Sequence, residues 1–190
     1  GEMRFVMIFS RTLIDRIPPL LDAYLPPPAP RIMHPVVLRR ASSGDEPLIA
    51  AMLGTLSAHT RYLRYFTTRP LDGAQALREA RRMTSASQTT LLAAQARGPA
   101  EAIAVAELVP DRGQPGVAEM AVLVRDDEQG KGLGTLLGQY LLRIARAQEL
   151  RQIRAVVLAE NRAALGMVRR MGAPYTIVSH ETELEIEIEV

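Results

Sequence analysis

A glycine-rich loop lies between an apolar segment at residues 117–124 and an amphipathic segment that begins at residue 133. The start of a helix leaves backbone N–H groups unpaired and carries a partial positive charge, so an anion binds favourably there. Glycines at alternate positions let the backbone approach a phosphate closely, and Lys131 adds a point charge. These residue types predict a pyrophosphate site. It comprises Gln129, Gly130, Lys131, Gly132, Leu133, Gly134 and Thr135.

Two common nucleotide-binding loops do not fit this segment. A Walker loop requires a glycine, four residues and then Gly-Lys-Ser or Gly-Lys-Thr, which the chain lacks. The dinucleotide fingerprint requires a glycine at the position that Thr135 occupies, and an acidic residue about twenty positions further on. A pyrophosphate ligand of another class is therefore expected, and a glycine-rich connection that binds nothing is the alternative.

Helices and strands alternate around the loop. Apolar residues after it recur at helical spacing, and Asn161 and Gly172 are typical boundary residues of a further helix. The tail alternates apolar residues with glutamates, which predicts a half-buried strand. We therefore predict an α/β or α+β fold with a mixed central sheet. Strands are expected at residues 36–38, 89–94, 102–109, 117–124, 153–158 and 183–190, with helices at 48–56, 73–83, 133–144 and 161–171 and a helix or turn at 59–66.

The chain divides near residue 36. Residues 36–190 are expected to form one domain, since a chain of 190 residues suits a single core. Residues 1–35 are an N-terminal extension, with short helices expected within residues 9–25 and a proline-rich linker at residues 26–30. This extension docks on the domain, forms a dimer contact, or is partly a cloning remnant.

Composition excludes several classes of function. The chain has no cysteine, which rules out a disulfide framework and thiolate chemistry and suits a reducing, cytoplasmic location. Its three histidines lack the spacing of a zinc site, so no metal is expected. The net charge is +2 without a basic, aromatic-rich cluster, which argues against nucleic acid. Every apolar stretch is too short to cross a membrane.

The loop resembles the signature of the GNAT superfamily of N-acetyltransferases, which is Q/R-x-x-G-x-G/A. Gln129, Gly132 and Gly134 match it, and the likeness extends to the helix after the loop, the strand at 153–158 and Asn161. The resemblance implies the GNAT fold, with a mixed sheet of six to seven strands flanked by about four helices. It also implies acetyl-CoA as cosubstrate. In this superfamily the strand before the loop is usually bulged and parts from its neighbour.

The resemblance assigns roles to individual residues. Main-chain groups of the strand before the loop would pair with the pantetheine arm, and the amides of residues 130–135 would hold the pyrophosphate. Asn161, which opens the next helix, would hydrogen-bond pantetheine near the thioester. The residues implied to bind the cofactor are Val122, Leu123, Val124, Gln129, Gly130, Lys131, Gly132, Leu133, Gly134, Thr135, Asn161 and Ala164.

A closer resemblance concerns bacterial protein lysine acetyltransferases. Residues 60–66 are similar to their S/T-R-Y-L-R-F-F segment, and residues 118–127 are similar to the strand that carries their catalytic glutamate, here Glu119. The cyclic-nucleotide-binding domain of the mycobacterial members is not expected in this chain. Arg61 and Arg64 within the first segment either orient the acceptor loop or the cofactor, or form salt bridges within the helix pair.

Acyl transfer to an amine requires a base, because a lysine ammonium has a pKa of about 10.4. Glu119 is the candidate base by resemblance, and Glu107 is the reserve; without the resemblance, a solvent-facing role for Glu119 would be favoured. The helix tyrosine that often serves as acid in the superfamily is replaced by Val168. A thiol pKa of about 8.5 makes a dedicated acid dispensable.

Three functions follow from these features. The leading one is acetyl transfer from acetyl-CoA to a primary amine, most readily a protein lysine. The second is acetylation of a small molecule such as a polyamine, an aminoglycoside or an amino acid. The third is a regulatory module that binds acyl-CoA without turnover. Neither nucleic acid nor a membrane is expected as a partner, and a homodimer is possible.

Overall fold

Seven strands between residues 36 and 189 form one mixed sheet in the computed structural model, which describes residues 8–9, 35–96, 98 and 100–190. A two-residue strand, β1 (Ile8–Phe9), extends the sheet at one edge. The remaining strands are β2 (Val36–Arg40), β3 (Thr89–Gln95), β4 (Ala102–Pro110), β5 (Val117–Val124), β6 (Gln152–Leu158), β7 (Tyr175–His180) and β8 (Glu183–Glu189). Beyond Phe9, the predicted N-terminal helices and the proline-rich linker lie outside the described residues.

Five α-helices lie in the described residues, one more than the approximate number expected. They are α1 (Glu46–Thr55), α2 (Ala58–Tyr65), α3 (Gly73–Met83), α4 (Leu133–Ala147) and α5 (Arg162–Met171). The order of the described strands is β1-β2-β3-β4-β5-β6-β8-β7, and among them only the β1–β2 and β5–β6 pairs are parallel. The predicted mixed sheet is therefore confirmed. Strand β7 was not predicted.

Strands β5 and β6 part after three pairs, which run from Val117 opposite Gln152 to Glu119 opposite Arg154. Beyond that point β6 continues to pair along its whole length with β8, while β5 stays paired with β4 up to Val124. The expected bulge in β5 is wrong, because its described pairing with β4 has no shift in register. The two strands separate because β5 stays hydrogen-bonded to β4 and β6 stays hydrogen-bonded to β8.

The two faces of the sheet carry separate cores. Helices α4 and α5 cover one face, where Leu137, Leu141 and Ile153 are fully buried. Helices α1 and α3 cover the other face, where Ile49 and Leu53 are fully buried. Because side chains alternate along a strand, β5 contributes to both cores. Its Ala118 and Met120 pack toward α4, and its Leu123 packs toward α1 and α3.

Helices α4 and α5 approach closely at one glycine. A Cβ atom on Gly138 would lie 2.9 Å from the Sδ atom of Met171, closer than side chains tolerate. This contact sets the spacing of the two helices that flank the gap between β5 and β6. Within the described residues, no helix has the length and apolar character needed to span a bilayer.

Candidate functional site

A cleft of about 570 Å³ opens where β5 and β6 part. Its walls are the end of β5 with the glycine loop, the facing residues of β6, the start of α5, and one side of α2. Eleven of the twelve residues predicted to bind the cofactor line it: Val122, Leu123, Val124, Gln129, Gly130, Gly132, Leu133, Gly134, Thr135, Asn161 and Ala164. Lys131 and Glu119 are not among the lining residues.

The N-terminus of α4 points its backbone amides into this cleft. The residue before the helix is Gly132, whose φ of 89° is left-handed and which has no side chain to cap the helix. No acidic residue lies in the first turn either. The amides of Leu133 to Thr135 therefore lack helical acceptors and keep the partial positive charge of the helix end. This arrangement suits a phosphate group.

Gly134 has a different role from Gly132. A Cβ atom at Gly134 would make only ordinary contacts, 3.7 Å from the Sδ atom of Met167 and 3.7 Å from Val124 Cγ2. The backbone at Gly134 is helical, so no left-handed conformation is required. An alanine is therefore compatible with this position, whereas Gly132 is needed for its φ angle.

The side chain of Gln129 joins the loop to two neighbours. Its Nε2 donates to the carbonyl oxygen of Val124 and to Thr60 Oγ1, both at 3.0 Å. Thr60 Oγ1 in turn donates to Asp126 Oδ1 at 2.7 Å, and the amide of Ser57 donates to Asp126 Oδ2 at 2.9 Å. These bonds fix the start of α2 against the loop. The sequence motif includes Gln129 but did not indicate this partner helix.

Asp126 is held in its charged form by these donors. Burial alone would raise the pKa of this carboxyl, but the hydrogen bonds from Ser57 and Thr60 outweigh it and leave the pKa below its usual range. A carboxylate that accepts from both the backbone and a hydroxyl of α2 orders the segment that leads into the glycine loop. Sequence reasoning did not identify this role.

Lys131 is directed to a neighbouring carboxylate. Its Nζ lies 3.1 Å from Glu128 Oε2, and Glu128 is buried and lines the cleft. The ammonium group therefore balances a negative charge beneath the loop instead of projecting into the cleft. An uncompensated Glu128 would repel a phosphate, so Lys131 acts on the anion site through this pair.

Asn161 begins α5, as predicted from the sequence. Its Oδ1 accepts from the amide of Ala164 at 3.0 Å, and the helix ends at Gly172 with a φ of 79°. Both Asn161 and Ala164 line the cleft. Val168, in the position of the superfamily's tyrosine, is buried and also lines it. No tyrosine or histidine lies among the described lining residues.

Glu119 lies at the closed end of the gap between the strands. It is the last residue of β5 that pairs with β6, opposite Arg154, and its side chain is exposed. It projects from the face that carries Leu123, opposite to the face of Met120. The next residue, Met120, already lines the cleft. Glu119 is thus beside the cleft and open to water.

Glu107 lies in a charged cluster on β4 and is only 2% exposed. Its carboxylate accepts from Arg64 Nη2 at 2.7 Å, from Gln88 Nε2 at 2.9 Å and from Arg82 Nη2 at 3.1 Å. Two guanidinium groups and an amide thus occupy its oxygens, which leaves it poorly suited to remove a proton from an amine. Arg82 reaches Glu107 from α3 and is 44% exposed.

The arrangement can hold an elongated ligand that carries phosphate at one end. Phosphates would meet the amides of the glycine loop and α4, and an arm would extend along the unpaired edge of β5 toward Asn161. No cluster of three histidine, aspartate or glutamate side chains in the described part of the chain could hold a metal ion.

Comparison with known families bears on this geometry. Residues 56–173, more than half of the chain, match the model of the acetyltransferase (GNAT) family. A 63-residue stretch is 46% identical to the L-methionine sulfoximine/L-methionine sulfone acetyltransferases of Pseudomonas aeruginosa and Pseudomonas paraeruginosa. The matched stretch spans 33% of this chain and 37% of those relatives.

Solved structures share the fold at low sequence identity. The GNAT domain of PAT from S. lividans superposes with a TM-score of 0.68 at 21% identity, over 80% of this chain and 89% of that one. An acetyltransferase from Salmonella typhimurium, solved with its cofactor acetyl-CoA, superposes with a TM-score of 0.60 at 20% identity, over 82% and 92% of the chains. These likenesses confirm the predicted fold.

Proposed function

The chain belongs to the GNAT family of acetyltransferases, and on that premise we propose that it acetylates the primary amine of a small molecule of the amino-acid class. As a member of this family it is an acyl-CoA-dependent N-acetyltransferase with acetyl-CoA as cosubstrate. The acceptor differs from the protein lysine that was favoured on sequence grounds. The small-molecule alternative is better supported, because the relatives with 46% local identity are named for amino-acid acceptors.

One observation carries the proposed chemistry: the uncapped start of α4 opens into the gap between β5 and β6. The amides of residues 130–135 would hold the pyrophosphate of acetyl-CoA. The free edge of β5, with Val122, Leu123 and Val124, would pair with the pantetheine arm. Asn161 and Ala164 line the same cleft and would contact that arm near the thioester.

The reaction needs few protein groups. The neutral amine attacks the thioester carbonyl, a C–N bond forms, the C–S bond breaks and CoA leaves as a thiolate. Glu119 would accept the amine's proton through a water molecule, since its carboxylate is exposed at the closed end of the gap. A backbone amide near Val122 would stabilise the oxyanion. The thiolate can take its proton from solvent, because a thiol pKa is about 8.5.

Acceptor assays with the purified protein test this proposal. Acetyl-CoA is supplied with one acceptor at a time: L-methionine sulfoximine, L-methionine sulfone, L-methionine, spermidine or a lysine-containing peptide. Released CoA is followed with a thiol reagent, which is clean because the chain has no cysteine. The product is identified by mass spectrometry.

We expect kcat/KM for at least one amino acid to exceed that for the peptide and for spermidine. Preferential acetylation of the peptide would overturn the acceptor class and restore the protein-lysine prediction. Binding of acetyl-CoA without consumption in the presence of any acceptor would indicate a regulatory module.

A further inference from the structure

Arg64 contributes to the wall of the cleft formed by α2, together with Thr60 and Leu63. One nitrogen of its guanidinium group is occupied, since Nη2 lies 2.7 Å from Glu107 Oε2. Its Nε is buried and has no hydrogen-bond partner among the described residues. A buried donor without an acceptor costs free energy, so this nitrogen is suited to a ligand oxygen.

Arg64 shares its carboxylate partner with a second arginine. Glu107 and Glu79 are shared with Arg82, which bonds to both. Arg61, one turn before Arg64, is held by the main-chain carbonyls of Leu56 and Thr68, with no carboxylate partner in the described part of the chain. Arg64 and Arg82 therefore share Glu107, which leaves Arg64 without a carboxylate of its own.

The position of Arg64 separates it from the phosphate end of the cleft. Arg170 is the other arginine that lines the cleft, and its Nε lies 3.4 Å from Thr135 Oγ1 in the first turn of α4. Arg64 instead pairs with Glu107, which is opposite Ala121 on the neighbouring strand. Ala121 lines the cleft two residues from Glu119, on the same face of β5.

We propose that Arg64 binds the carboxylate of the acceptor and thereby selects α-amino acids over simple amines. The second half of this statement rests on the proposed function. Glu107 fixes Nη2 of the guanidinium group, and Nε remains as a donor to the incoming carboxylate. In an α-amino acid the amine is on the adjoining carbon. A carboxylate held by Arg64 therefore brings the amine beside β5 and next to Glu119.

Paired substrates test this assignment. We compare L-methionine sulfone with its methyl ester, which keeps the amine and the side chain but removes the negative charge. The ratio of kcat/KM for acid and ester is measured in the wild type, Arg64→Gln, Arg64→Lys and Arg82→Gln. Arg82→Gln is the matched control, because Arg82 bonds to the same Glu107 but does not line the cleft.

We expect the wild type to prefer the acid by about 10- to 100-fold, the strength of a hydrogen bond to a charged group. Arg64→Gln should remove this preference by losing activity on the acid alone, with the KM for acetyl-CoA unchanged. Arg64→Lys should retain part of the preference, and Arg82→Gln should retain all of it. An equal loss for acid and ester in Arg64→Gln, or an equal loss of preference in Arg82→Gln, would overturn the proposal.

A double variant and a binding measurement complete the test of Arg64. The double variant Arg64→Gln/Glu107→Gln removes both charges of the ion pair, and Arg82 keeps Glu79 as a partner, so the acid-to-ester ratio is measured without an unpaired Glu107 if the single variant is unstable. Calorimetric binding of N-acetyl-L-methionine sulfone to the CoA complex provides a readout without turnover. If no amino acid is acetylated but this product binds the wild type and not Arg64→Gln, the proposed function fails and the carboxylate site stands. If N-acetyl-L-methionine sulfone binds the wild type and Arg64→Gln equally, or binds neither, the proposed carboxylate site is wrong.

Discussion

The two sides of β5 are built in opposite ways. On the side of α4, the donors that matter are backbone amides, and they are left open by a glycine at the helix start. On the side of α2 and α3, the polar groups are side chains that satisfy one another, as Glu107 does with Arg64, Arg82 and Gln88. One side is preorganised to accept a ligand, and the other is mostly filled by its own partners.

This difference assigns cosubstrate binding to one side of β5 and acceptor selection to the other. Backbone amides at a helix start bind phosphate whatever the rest of the ligand, so the α4 side suits a cosubstrate shared by a whole family. The cluster on the other side is made of side chains, and it leaves Arg64 Nε without a partner among the described residues. Changes on the α4 side should therefore alter the affinity for acetyl-CoA, and changes on the other face should alter turnover, stability or acceptor choice.

The largest expected effect comes from Glu119→Gln. Loss of the base should lower kcat by about 100- to 1,000-fold, because a positioned base contributes factors of this size. The dissociation constant for acetyl-CoA should stay within about threefold, since Glu119 is not a lining residue. Steady-state kinetics and calorimetry measure the two quantities.

Glu183→Gln is the matched control for this change, because Glu183 is an exposed glutamate on β8. It should leave both quantities near the wild-type values. A loss of acetyl-CoA affinity in Glu119→Gln with normal turnover of the bound complex would break the division between the two sides of β5.

Removal of Glu107 should affect folding more than cofactor binding. Glu107→Ala leaves Arg64 and Gln88 without their buried acceptor, and we expect the free energy of unfolding to fall by about 2–3 kcal/mol. The partial exposure of Arg82 keeps the loss below that of a fully buried pair. Urea denaturation measures the change, and acetyl-CoA affinity of the folded protein should be retained.

Glu101→Ala provides the comparison for Glu107→Ala. Glu101 is 51% exposed and pairs with Arg125 at 2.9 Å, so its loss should cost about 0.5 kcal/mol or less. Equal destabilisation by the two substitutions would show that the cluster of Glu107, Arg64 and Arg82 contributes no more to stability than a surface ion pair.

The smallest effect distinguishes two glycines of the loop. Gly132→Ala must place a side chain at a φ of 89°, which costs about 1–2 kcal/mol and should weaken acetyl-CoA binding by about tenfold. Gly134→Ala adds a methyl group at ordinary contact distances and should bind nearly as the wild type does. Equal affinities for the two variants would mean that the left-handed turn does not shape the anion site.

The α4 side was largely predictable from sequence because it is local. The loop, the helix spacing after it and Asn161 lie within about forty residues and follow rules of glycine conformation and helix ends. Even here the ion pair of Lys131 with Glu128 was missed, because sequence spacing does not tell whether a lysine points to a ligand or to a neighbour.

The other side was not predictable because its contacts join distant segments. Arg64 and Arg82 reach Glu107 across 43 and 25 residues, and Thr60 meets Asp126 across 66. Strand β7 was missed for a different reason. It is an edge strand in which Ile177 and Val178 are both exposed, so it lacks the alternation that marks a half-buried strand.

The central claim is that the open amides at the start of α4 hold the cosubstrate, and backbone hydrogen exchange tests it most directly. Amides of residues 130–135 should exchange readily in the free protein and slow down when acetyl-CoA saturates it. Amides of α3 (Gly73–Met83), on the opposite face of the sheet, should change little. If acetyl-CoA binds but residues 130–135 gain no protection, or the protection appears in α3 instead, the site assigned here is contradicted.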